Sequence, residues 1–342
     1  MTEKANNSAI TITRLMMGYP PAGGEPGFVR RDISFSAAKG ELVALIGPNG
    51  SGKSTLLRTM AGFTPPLAGE LLWQGKAIET FSTRALARMI SFVSTENISV
   101  PNMRVADLVA YGRFPYTGWL GRLHTSDKAV VEEALRKTGL SDFARREVVT
   151  LSDGERQRAL IARALAQDTP FILLDEPTAF LDISGKYEIF QLLRHLASED
   201  AKTILLSTHD LGIALREADR LWMLTASGEY EGAPEDAVLQ GWLNHLFSNP
   251  MVGFDHSSGE FFFRKETAGT AVVSGSGEAR DWTCRALRRA GFAISAEETA
   301  DMTISVTNGE NPGKYRWTMT RENKSREFET LHALISHLKT KS

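Results

Sequence analysis

The residue types and spacing that most directly indicate chemistry lie between Gly47 and Ser54. This segment reads G-P-N-G-S-G-K-S and fits the pattern G-x-x-x-x-G-K-[ST]. An unbroken apolar run, Leu42–Ile46, precedes it, and residues 55–61, with apolar positions at helical spacing, follow it. A strand, a glycine-rich loop and a helix in this order form the context in which the pattern binds phosphate.

The chemistry of this loop follows from its backbone and from two side chains. Glycines allow several backbone N–H groups to turn toward one point, where the helix N-terminus adds partial positive charge. Lys53 can reach the outer phosphates of a nucleotide, and the Ser54 hydroxyl can ligate Mg²⁺. A glycine-rich turn that binds nothing is the alternative that the motif alone leaves open. The residues predicted to contact the nucleotide here are Gly47, Pro48, Asn49, Gly50, Ser51, Gly52, Lys53, Ser54 and Thr55.

Two carboxylates and a histidine follow further apolar runs. Asp175 and Glu176 end one run, and His209 closely follows another. Because ligands of open α/β sheets lie beyond the carboxyl ends of the strands, we expect all three beside the phosphate loop. One carboxylate suits a metal ligand, and the other suits orienting a water molecule. A lone histidine is more often a satisfied polar group, but its place at the same sheet edge favours a functional role.

Two further features indicate contacts with a ligand. A long helix is predicted to run to Ala166, with Ser152 as its N-cap and Gly154 keeping its first turn open to an approaching group. Tyr19 lies shortly before the phosphate loop, where its ring could stack on a nucleotide base. A purely structural role in a turn is equally compatible with this one residue.

Composition limits the class of protein. The chain has 342 residues, 23% of them charged, and a formal net charge of −2, which gives no electrostatic signature of nucleic-acid binding. One cysteine, Cys284, excludes an internal disulfide and a cysteine-built metal site. The polar N-terminus does not read as a secretion signal, and no apolar run reaches the ~18 residues needed to span a bilayer. We therefore expect any function at a membrane to depend on a partner.

The elements that position these residues read as a β-rich start followed by mixed α/β structure. Alternation at Ile10 and Ile12 predicts an edge strand, and residues 28–35 predict another strand. Residues 105–150 carry helical apolar stripes, which predict a helical block inserted between strands of one sheet. Such a block could move as a unit or offer a surface to a partner.

Together these motifs resemble the ATPase subunit of ATP-binding-cassette (ABC) transporters over roughly the first three quarters of the chain. Residues 47–54 are similar to the Walker A loop and residues 171–176 to Walker B with its following glutamate. Residues 151–155, L-S-D-G-E, resemble the family signature, usually L-S-G-G-Q, and residues 179–182 resemble the D-loop. The resemblance implies an α/β P-loop NTPase domain over residues 1–265, with a RecA-like core, an N-terminal antiparallel β part and a helical subdomain at about 97–150.

The resemblance implies a head-to-tail homodimer that holds two ATP molecules, with Mg²⁺, at its interface. Each ATP would contact Lys53 and Asp175 of one subunit and the signature of the other. Bound ATP would then hold the two subunits together, because its charge is neutralised only when both subunits close around it. The signature residues implied on the opposite subunit are Ser152, Asp153, Gly154 and Glu155.

Four further roles come from the resemblance. Glu176 would position the attacking water, and His209 would contact the γ-phosphate. Asp182 of the D-loop would link the two sites across the dimer. Tyr19 matches the family aromatic that stacks on adenine.

The sequence departs from the family pattern in two places. The signature carries Asp153 and Glu155 where glycine and glutamine are usual, so the Asp153 carboxylate would lie near the γ-phosphate of the opposite subunit. Two alternatives are open: the carboxylate points away from that phosphate, or it slows closure of the dimer. The family glutamine that leaves the strand at Ile90–Val93 is absent. Glu96 could take over its metal contact with a one-residue offset, whereas Thr95 lies closest to the usual position.

Within the family, residues 111–119 look like the G-R-x-P-[HY] segment of importers for iron–siderophore, haem and cobalamin. The resemblance places this segment where a membrane permease docks, so Arg113 and Phe114 are predicted permease contacts. It implies a peripheral subunit at the cytoplasmic face of the inner membrane that contacts the permease subunits directly and an external substrate-binding protein indirectly. No contact with nucleic acid is expected.

Beyond Gly253 the resemblance fades. Residues 266–342 read as a small α+β domain: a strand at 270–273, a helix at 280–290, strands at 302–306 and 315–319, and a last helix that includes Leu331 and Leu338. No catalytic constellation is evident, and its position and size alone favour a regulatory or dimer-stabilising role.

Three other functions were weighed against an importer ATPase. Cassette ATPases that act on nucleic acid or ribosomes usually have two cassettes or long coiled coils, and this chain shows neither. A phosphate-loop kinase does not explain the signature helix with the Asp175–Glu176 pair. Export remains an alternative, although exporters commonly fuse the membrane part to the cassette.

Overall fold

The structure is a computed structural model, and it describes residues 8–19, 27–94, 100–118, 122–246, 251–255, 260–263, 267–295, 300–308, 314–322 and 324–339. The chain divides into two compact units, Met1–Asn249 with Phe254–Phe261 and Pro250–Gly253 with Phe262–Ser342. The strands up to Phe263 are β1 (Ser8–Tyr19), β2 (Phe28–Ala38), β3 (Leu42–Ile46), β4 (Ala68–Trp73), β5 (Lys76–Ala77), β6 (Ile90–Val93), β7 (Phe171–Leu174), β8 (Thr203–Ser207), β9 (Arg220–Thr225), β10 (Gly228–Gly232), β11 (Val252–Asp255) and β12 (Glu260–Phe263). The α-helices of the same part are α1 (Lys53–Met60), α2 (Thr83–Leu86), α3 (Val105–Ala110), α4 (Thr125–Lys137), α5 (Asp153–Ala166), α6 (Ile183–Ser198), α7 (Leu211–Glu217) and α8 (Pro234–Leu239).

A central sheet in the order β10-β9-β3-β8-β7-β6 positions the candidate site. Its strands pair in parallel except at β10, which pairs antiparallel with β9. Every residue of β3, β7 and β8 is buried, as expected of parallel strands covered on both faces. All these parallel strands therefore end at one edge, which is where the sequence places its phosphate loop, carboxylates and histidine.

The two faces of this sheet carry different layers. One face packs against α3, α4, α5 and α6 through a shared apolar cluster that includes Leu42, Leu174 and Leu206. The other face, with Val43 and Leu45, packs against α1 and a second, antiparallel sheet. Sheet and helices thus form a layered α/β core around the strand ends.

The second sheet has the order β2-β1-β4-β5 and is antiparallel throughout. The prediction of an edge strand at Ile10 and Ile12 is wrong, because β1 pairs with β2 on one side and with β4 on the other. Both isoleucines are buried in the cluster that this sheet shares with α1. The aromatic pair Phe35–Trp222, with ring centroids 4.8 Å apart, joins this sheet to the central one.

The described residues between β6 and β7 are mainly helical, as predicted for residues 105–150. They contain α3, α4 and α5, with 3₁₀-helices at Tyr111–Tyr116, Ser141–Phe143 and Val148–Thr150. Lys137 Nζ at the end of α4 lies 2.6 Å from the carboxylate of Asp200, beyond α6.

The second unit contains β13 (Gly269–Ser274), β14 (Phe292–Ile294), β15 (Met302–Asn308), β16 (Tyr315–Arg321) and β17 (Lys324–Phe328), with helices α9 (Glu278–Arg289) and α10 (Leu331–Lys339). Its sheet order is β14-β13-β15-β16-β17. One sheet face packs against both helices in an apolar cluster of its own, and Trp317 Nε1 donates to Thr283 Oγ1 at 2.8 Å inside it. The expected α+β pattern is confirmed, while the short edge strands β14 and β17 were not predicted.

Across the part of the chain that the structure describes, no helix is long and apolar enough to cross a membrane.

Candidate active site

The phosphate loop connects β3 to α1 in a backbone conformation that requires glycine. Gly50 and Gly52 have φ values of +77° and +98°, in the left-handed region that other residues rarely adopt. A Cβ atom on Gly47 would lie 2.4 Å from the Leu224 carbonyl oxygen, and one on Gly52 would lie 2.6 Å from the Phe28 ring. The glycines therefore allow the close packing that this loop shows against β9 and β2.

Lys53 holds the loop in shape from within. Its Nζ donates to the carbonyl oxygens of Gly47 at 2.9 Å and Pro48 at 3.2 Å, and the residue is 5% exposed. Burial lowers the pKa of Lys53, an effect that the nearby charges of Glu176 and Asp175 oppose. A desolvated ammonium beside an open helix N-terminus attracts an anion strongly.

The loop also contains a buried hydroxyl group, Ser51 Oγ, without a hydrogen-bond partner among the described residues. A buried polar atom without a partner is uncommon and indicates an absent bonding group. The phosphate loop therefore fits a phosphate chain, which offers acceptor oxygens and negative charge.

Asp175 lies beside the loop, as predicted from the strand ends. Its Oδ1 accepts hydrogen bonds from Ser54 Oγ at 3.0 Å and from Ser207 Oγ at 2.7 Å, and the residue is 6% exposed. A carboxylate and a hydroxyl at this separation are the hard oxygen donors that Mg²⁺ prefers. The donor set of Ser54 and Asp175 therefore fits the predicted metal.

Glu176 and His209 come together at the same edge. His209 Nε2 lies 2.8 Å from Glu176 Oε1, and both side chains are partly exposed. Glu176 has a φ of +48°, unusual for a residue with a side chain, and its backbone N–H donates to Ser207 Oγ at 2.9 Å. The backbone is thus held so that the carboxylate points toward the histidine and out of the sheet.

The signature residues form the N-terminus of α5. Ser152 Oγ accepts from Glu155 N at 3.3 Å, and Glu155 Oε2 accepts from Ser152 N at 2.8 Å, which together make a capping box. The hydrogen bond from the Ser152 N–H lowers the pKa of Glu155. Asp153 Oδ1 lies 3.2 Å from an Arg156 guanidinium nitrogen, so the unusual carboxylate has a partner in its own helix.

The aromatic and D-loop residues lie at the surface. Tyr19 is 57% exposed at the end of β1, with its ring centroid 6.2 Å from that of Phe28. Asp182 is the N-cap of α6 and accepts from Gly185 N at 2.7 Å, which gives it a local structural role. Phe180, two residues earlier, is 85% exposed with a φ of +67°. Thr95 and Glu96 lie outside the described residues.

The structure separates the two predicted permease contacts. Phe114 is 73% exposed, whereas Arg113 is 8% exposed and its guanidinium donates to Asp127 Oδ1 and to the Ala166 carbonyl oxygen, each at 2.9 Å. Its guanidinium also lies 3.9 Å from the Tyr116 ring centroid. Arg113 is committed to the fold of the chain, so a direct contact through its side chain does not fit this burial.

Several residues of the site escape sequence reasoning. Ser207 bridges Asp175 and Glu176, and Arg30 donates to carbonyl oxygens of the phosphate loop (Ser51, 3.4 Å) and of Thr225 (2.9 Å). Ser207 could have been noticed as a polar residue that ends an otherwise apolar strand. Arg30 gives no such signal, because its partners are backbone atoms far away in the sequence.

Comparison with known proteins identifies the family of the chain that carries these site residues. Residues 30–179 match the ABC transporter family, and residues 268–339 match the iron ABC transporter C-terminal domain. The petrobactin import ATP-binding protein FpuC of Bacillus anthracis is 38% identical over 239 residues, which cover 70% of this chain and 88% of that protein. The chain belongs to the ATP-binding proteins of ABC transporters.

Further similar proteins and solved structures belong to the same family. The iron(3+)-hydroxamate import ATP-binding protein FhuC of Bacillus subtilis is 43% identical over 209 residues, covering 61% of this chain and 76% of that protein. A solved metal-chelate type ABC transporter in an inward-facing conformation aligns with a TM-score of 0.62 and 28% identity, covering 75% of this chain and 96% of that chain. A dimeric bacterial ABC transporter cassette aligns with a TM-score of 0.57 and 30% identity, covering 66% and 98%.

The predictions of family, fold class and ATPase activity are thereby confirmed: this chain is an ABC-type ATPase with an ABC cassette fold and an appended iron ABC C-terminal domain. The roles of the individual site residues and the domain boundary at residue 265 stay predictions.

Proposed function

We propose that this ABC ATPase powers the import of a metal chelate, such as an iron–siderophore, haem or cobalamin, through a separate membrane permease. The observation that carries the proposal is the alignment of Lys53, the Ser54–Asp175 pair and the Glu176–His209 pair along one sheet edge. Two of its relatives are named for the import of petrobactin and of iron(3+)-hydroxamate, which favours this cargo class.

In this proposal the phosphate loop binds the phosphates of ATP through its backbone N–H groups, Ser51 and Lys53. Ser54 and Asp175 would hold Mg²⁺, which when bound neutralises charge on the phosphates. Glu176 accepts a hydrogen bond from the attacking water and orients it. His209, which now contacts Glu176, reaches the γ-phosphate, and exposed Tyr19 stacks on adenine.

The active unit in this proposal is a head-to-tail homodimer. Ser152 and Gly154 at the N-terminus of α5 contact the ATP held by the other copy, where the helix dipole favours negative charge. The capping box leaves the first turn of α5 ordered before the partner arrives, so closure costs little local entropy.

A groove in the first unit supports permease docking. It has a volume of about 420 Å³ and is lined mainly by apolar side chains, among them Phe63, Phe81 and Phe92. Arg84 of α2 and Arg88, just after α2, lie next to the lining residues and donate to the Pro115 carbonyl oxygen at 3.0–3.2 Å. This bonding holds the segment that contains exposed Phe114 next to α2. We propose that groove and Phe114 receive a cytoplasmic segment of the permease, which holds this subunit at the cytoplasmic face of the membrane.

Glu176→Gln tests the hydrolytic part of this proposal. The amide keeps the size of the side chain but removes the charge that orients water, so kcat for ATP should fall about a hundredfold or more while ATP binding is retained. ATP-bound dimers should then accumulate in size-exclusion chromatography. A wild-type rate in this variant would remove Glu176 from the catalytic role.

Phe114→Ser tests the transport part, with Phe263→Ser as a control at another exposed phenylalanine (72%). We expect Phe114→Ser to reduce uptake of radiolabelled iron–siderophore in cells and co-sedimentation with co-expressed permease, without changing the ATPase rate of the isolated protein. Unchanged uptake at normal protein level would refute the docking surface.

A further inference from the structure

The carboxylate of Asp210 joins two elements beside His209. Asp210 is the N-cap residue of α7, yet its side chain makes no capping hydrogen bond. Its Oδ2 accepts from Thr178 Oγ1 at 2.8 Å, and its Oδ1 accepts from Lys186 Nζ at 2.8 Å. Both oxygens are therefore bonded to residues that follow Glu176 in the chain.

The two donors occupy well-defined places. Thr178 is 2% exposed and lies two residues after Glu176. Lys186 lies in the first turn of α6, four residues after Asp182 of the D-loop, and its backbone N–H donates to the Asp182 carbonyl oxygen at 3.0 Å. The ion pair of Lys186 with Asp210 has side chains only 28% and 25% exposed, so solvent screens it less than a typical surface pair.

These bonds complete a set of links between two segments, residues 176–186 and 207–210. The Glu176 N–H donates to Ser207 Oγ, and the Glu176 carboxylate bonds to His209. Since Glu176 has a φ of +48°, its conformation depends on such external support. Within the described residues, the His209 side chain makes one hydrogen bond, to Glu176, and its neighbour Asp210 carries the side-chain links to Thr178 and Lys186.

We propose that Lys186 is a positioning residue of the hydrolytic site: through Asp210 it fixes His209 relative to Glu176. The inference rests on the proposed roles of Glu176 and His209. It also gives a route by which contact of the D-loop with a second copy reaches the histidine, because α6 begins at the D-loop and carries Lys186 in its first turn.

The placement predicts which kinetic constant changes. Among the contacts described for Lys186, none involves the phosphate loop. Loss of its ammonium therefore leaves ATP binding intact and disturbs only the groups that act on the water and the γ-phosphate. We expect Lys186→Met to lower kcat about tenfold or more, as for other groups that orient a catalytic residue, with KM for ATP unchanged.

The experiment compares Lys186→Met, Lys186→Arg and the control Lys137→Met. Lys137 forms an ion pair with Asp200 at 2.6 Å, with side chains 24% and 20% exposed, in the helical block. The control thus removes a similar pair without touching the site. Measurements are kcat, KM, the Kd for ATP, thermal stability and, in the nucleotide-free protein, the ring ¹⁵N shifts of His209 assigned with His209→Ala.

The expected result is a lowered kcat and a shifted His209 signal in Lys186→Met, recovery of both in Lys186→Arg, and neither change in Lys137→Met. Unchanged kcat and His209 shifts in folded Lys186→Met would overturn the inference; if that variant does not fold, Lys186→Gln is measured in its place. Glu176→Gln is assayed in parallel. A wild-type kcat in Glu176→Gln would refute the proposed function itself. A lowered kcat in Glu176→Gln together with a wild-type kcat in Lys186→Met would refute only the inference.

Discussion

At the scale of single residues, Asp153 is the feature that distinguishes this signature. Its carboxylate is 63% exposed at the N-terminus of α5, where a negative charge stabilises a helix by about 0.3–1 kcal/mol. The ion pair with Arg156 is open to solvent, and such pairs neutralise charge only weakly. In the proposed dimer the carboxylate faces the triphosphate of the other copy and repels it.

We therefore expect Asp153→Gly to strengthen ATP-dependent dimerisation. In the Glu176→Gln background, the ATP concentration for half-maximal dimer should fall about fivefold at low salt, which corresponds to about 1 kcal/mol. The difference should shrink as salt rises, since the Debye length shortens. Asp107→Asn removes another acid from a helix first turn, in α3, and should leave dimerisation unchanged. Equal dimerisation by Asp153→Gly and wild type would mean that the carboxylate points away from the nucleotide.

Sequence reasoning located the residues of the site but not the bonds that orient them. Lys53, Asp175, Glu176 and His209 lie where predicted, because glycine spacing and apolar runs directly encode where parallel strands end. Ser207 instead acts through bonds that depend on the strand order β3-β8-β7, which local patterns do not specify.

At the scale of elements, the segment Tyr111–Tyr116 shows that a sequence motif does not reveal which of its side chains are exposed. Sequence reasoning predicted an aromatic-rich loop with Arg113 and Phe114 both facing a partner. The segment is a 3₁₀-helix, which turns Phe114 outward and Arg113 inward against Asp127 and α5. A sequence pattern does not identify a buried arginine, because charged residues are interpreted as exposed unless the structure shows otherwise.

Arg113 should accordingly matter for stability. Arg113→Met leaves Asp127, 4% exposed, as a buried carboxylate without its cation, and this should cost about 3 kcal/mol in the free energy of unfolding. The chemical-denaturation midpoint, followed by circular dichroism, measures it. Arg136→Met is the control, since Arg136 pairs with Glu133 on the exposed side of α4.

The same pair predicts a pH dependence. The backbone hydrogen bond from His124, with Arg113, lowers the pKa of Asp127 below its usual range. A carboxylate with a lowered folded-state pKa contributes stability above its unfolded pKa and loses it as pH falls through the folded value. The stability difference between wild type and Arg113→Met should therefore be full at neutral pH and shrink in acid. A difference that is small at neutral pH would contradict a structural role for the ion pair.

At the scale of the whole molecule, the two units have separate apolar cores. The clusters around the central sheet contain no residue beyond Phe261, and the cluster of the C-terminal unit contains none before Ala271. Sequence reasoning predicted a compact tail without a catalytic constellation, and its position and size alone favoured a regulatory or dimer-stabilising role. A tail with its own core can be removed without opening the site.

Ending the chain after residue 267 should therefore leave a folded ATPase. We expect the truncated protein to keep the Kd for ATP and the thermal stability of the first unit, since every residue of the phosphate loop and of the Asp175–Asp210 region lies within it. Calorimetry of the full chain should show a transition that the truncated chain lacks. If dimerisation or uptake falls while ATP affinity holds, the tail stabilises the dimer or regulates transport, as its position led us to expect; if all four quantities are unchanged, that role is excluded. Failure of the truncated chain to fold would contradict the independence of the two cores.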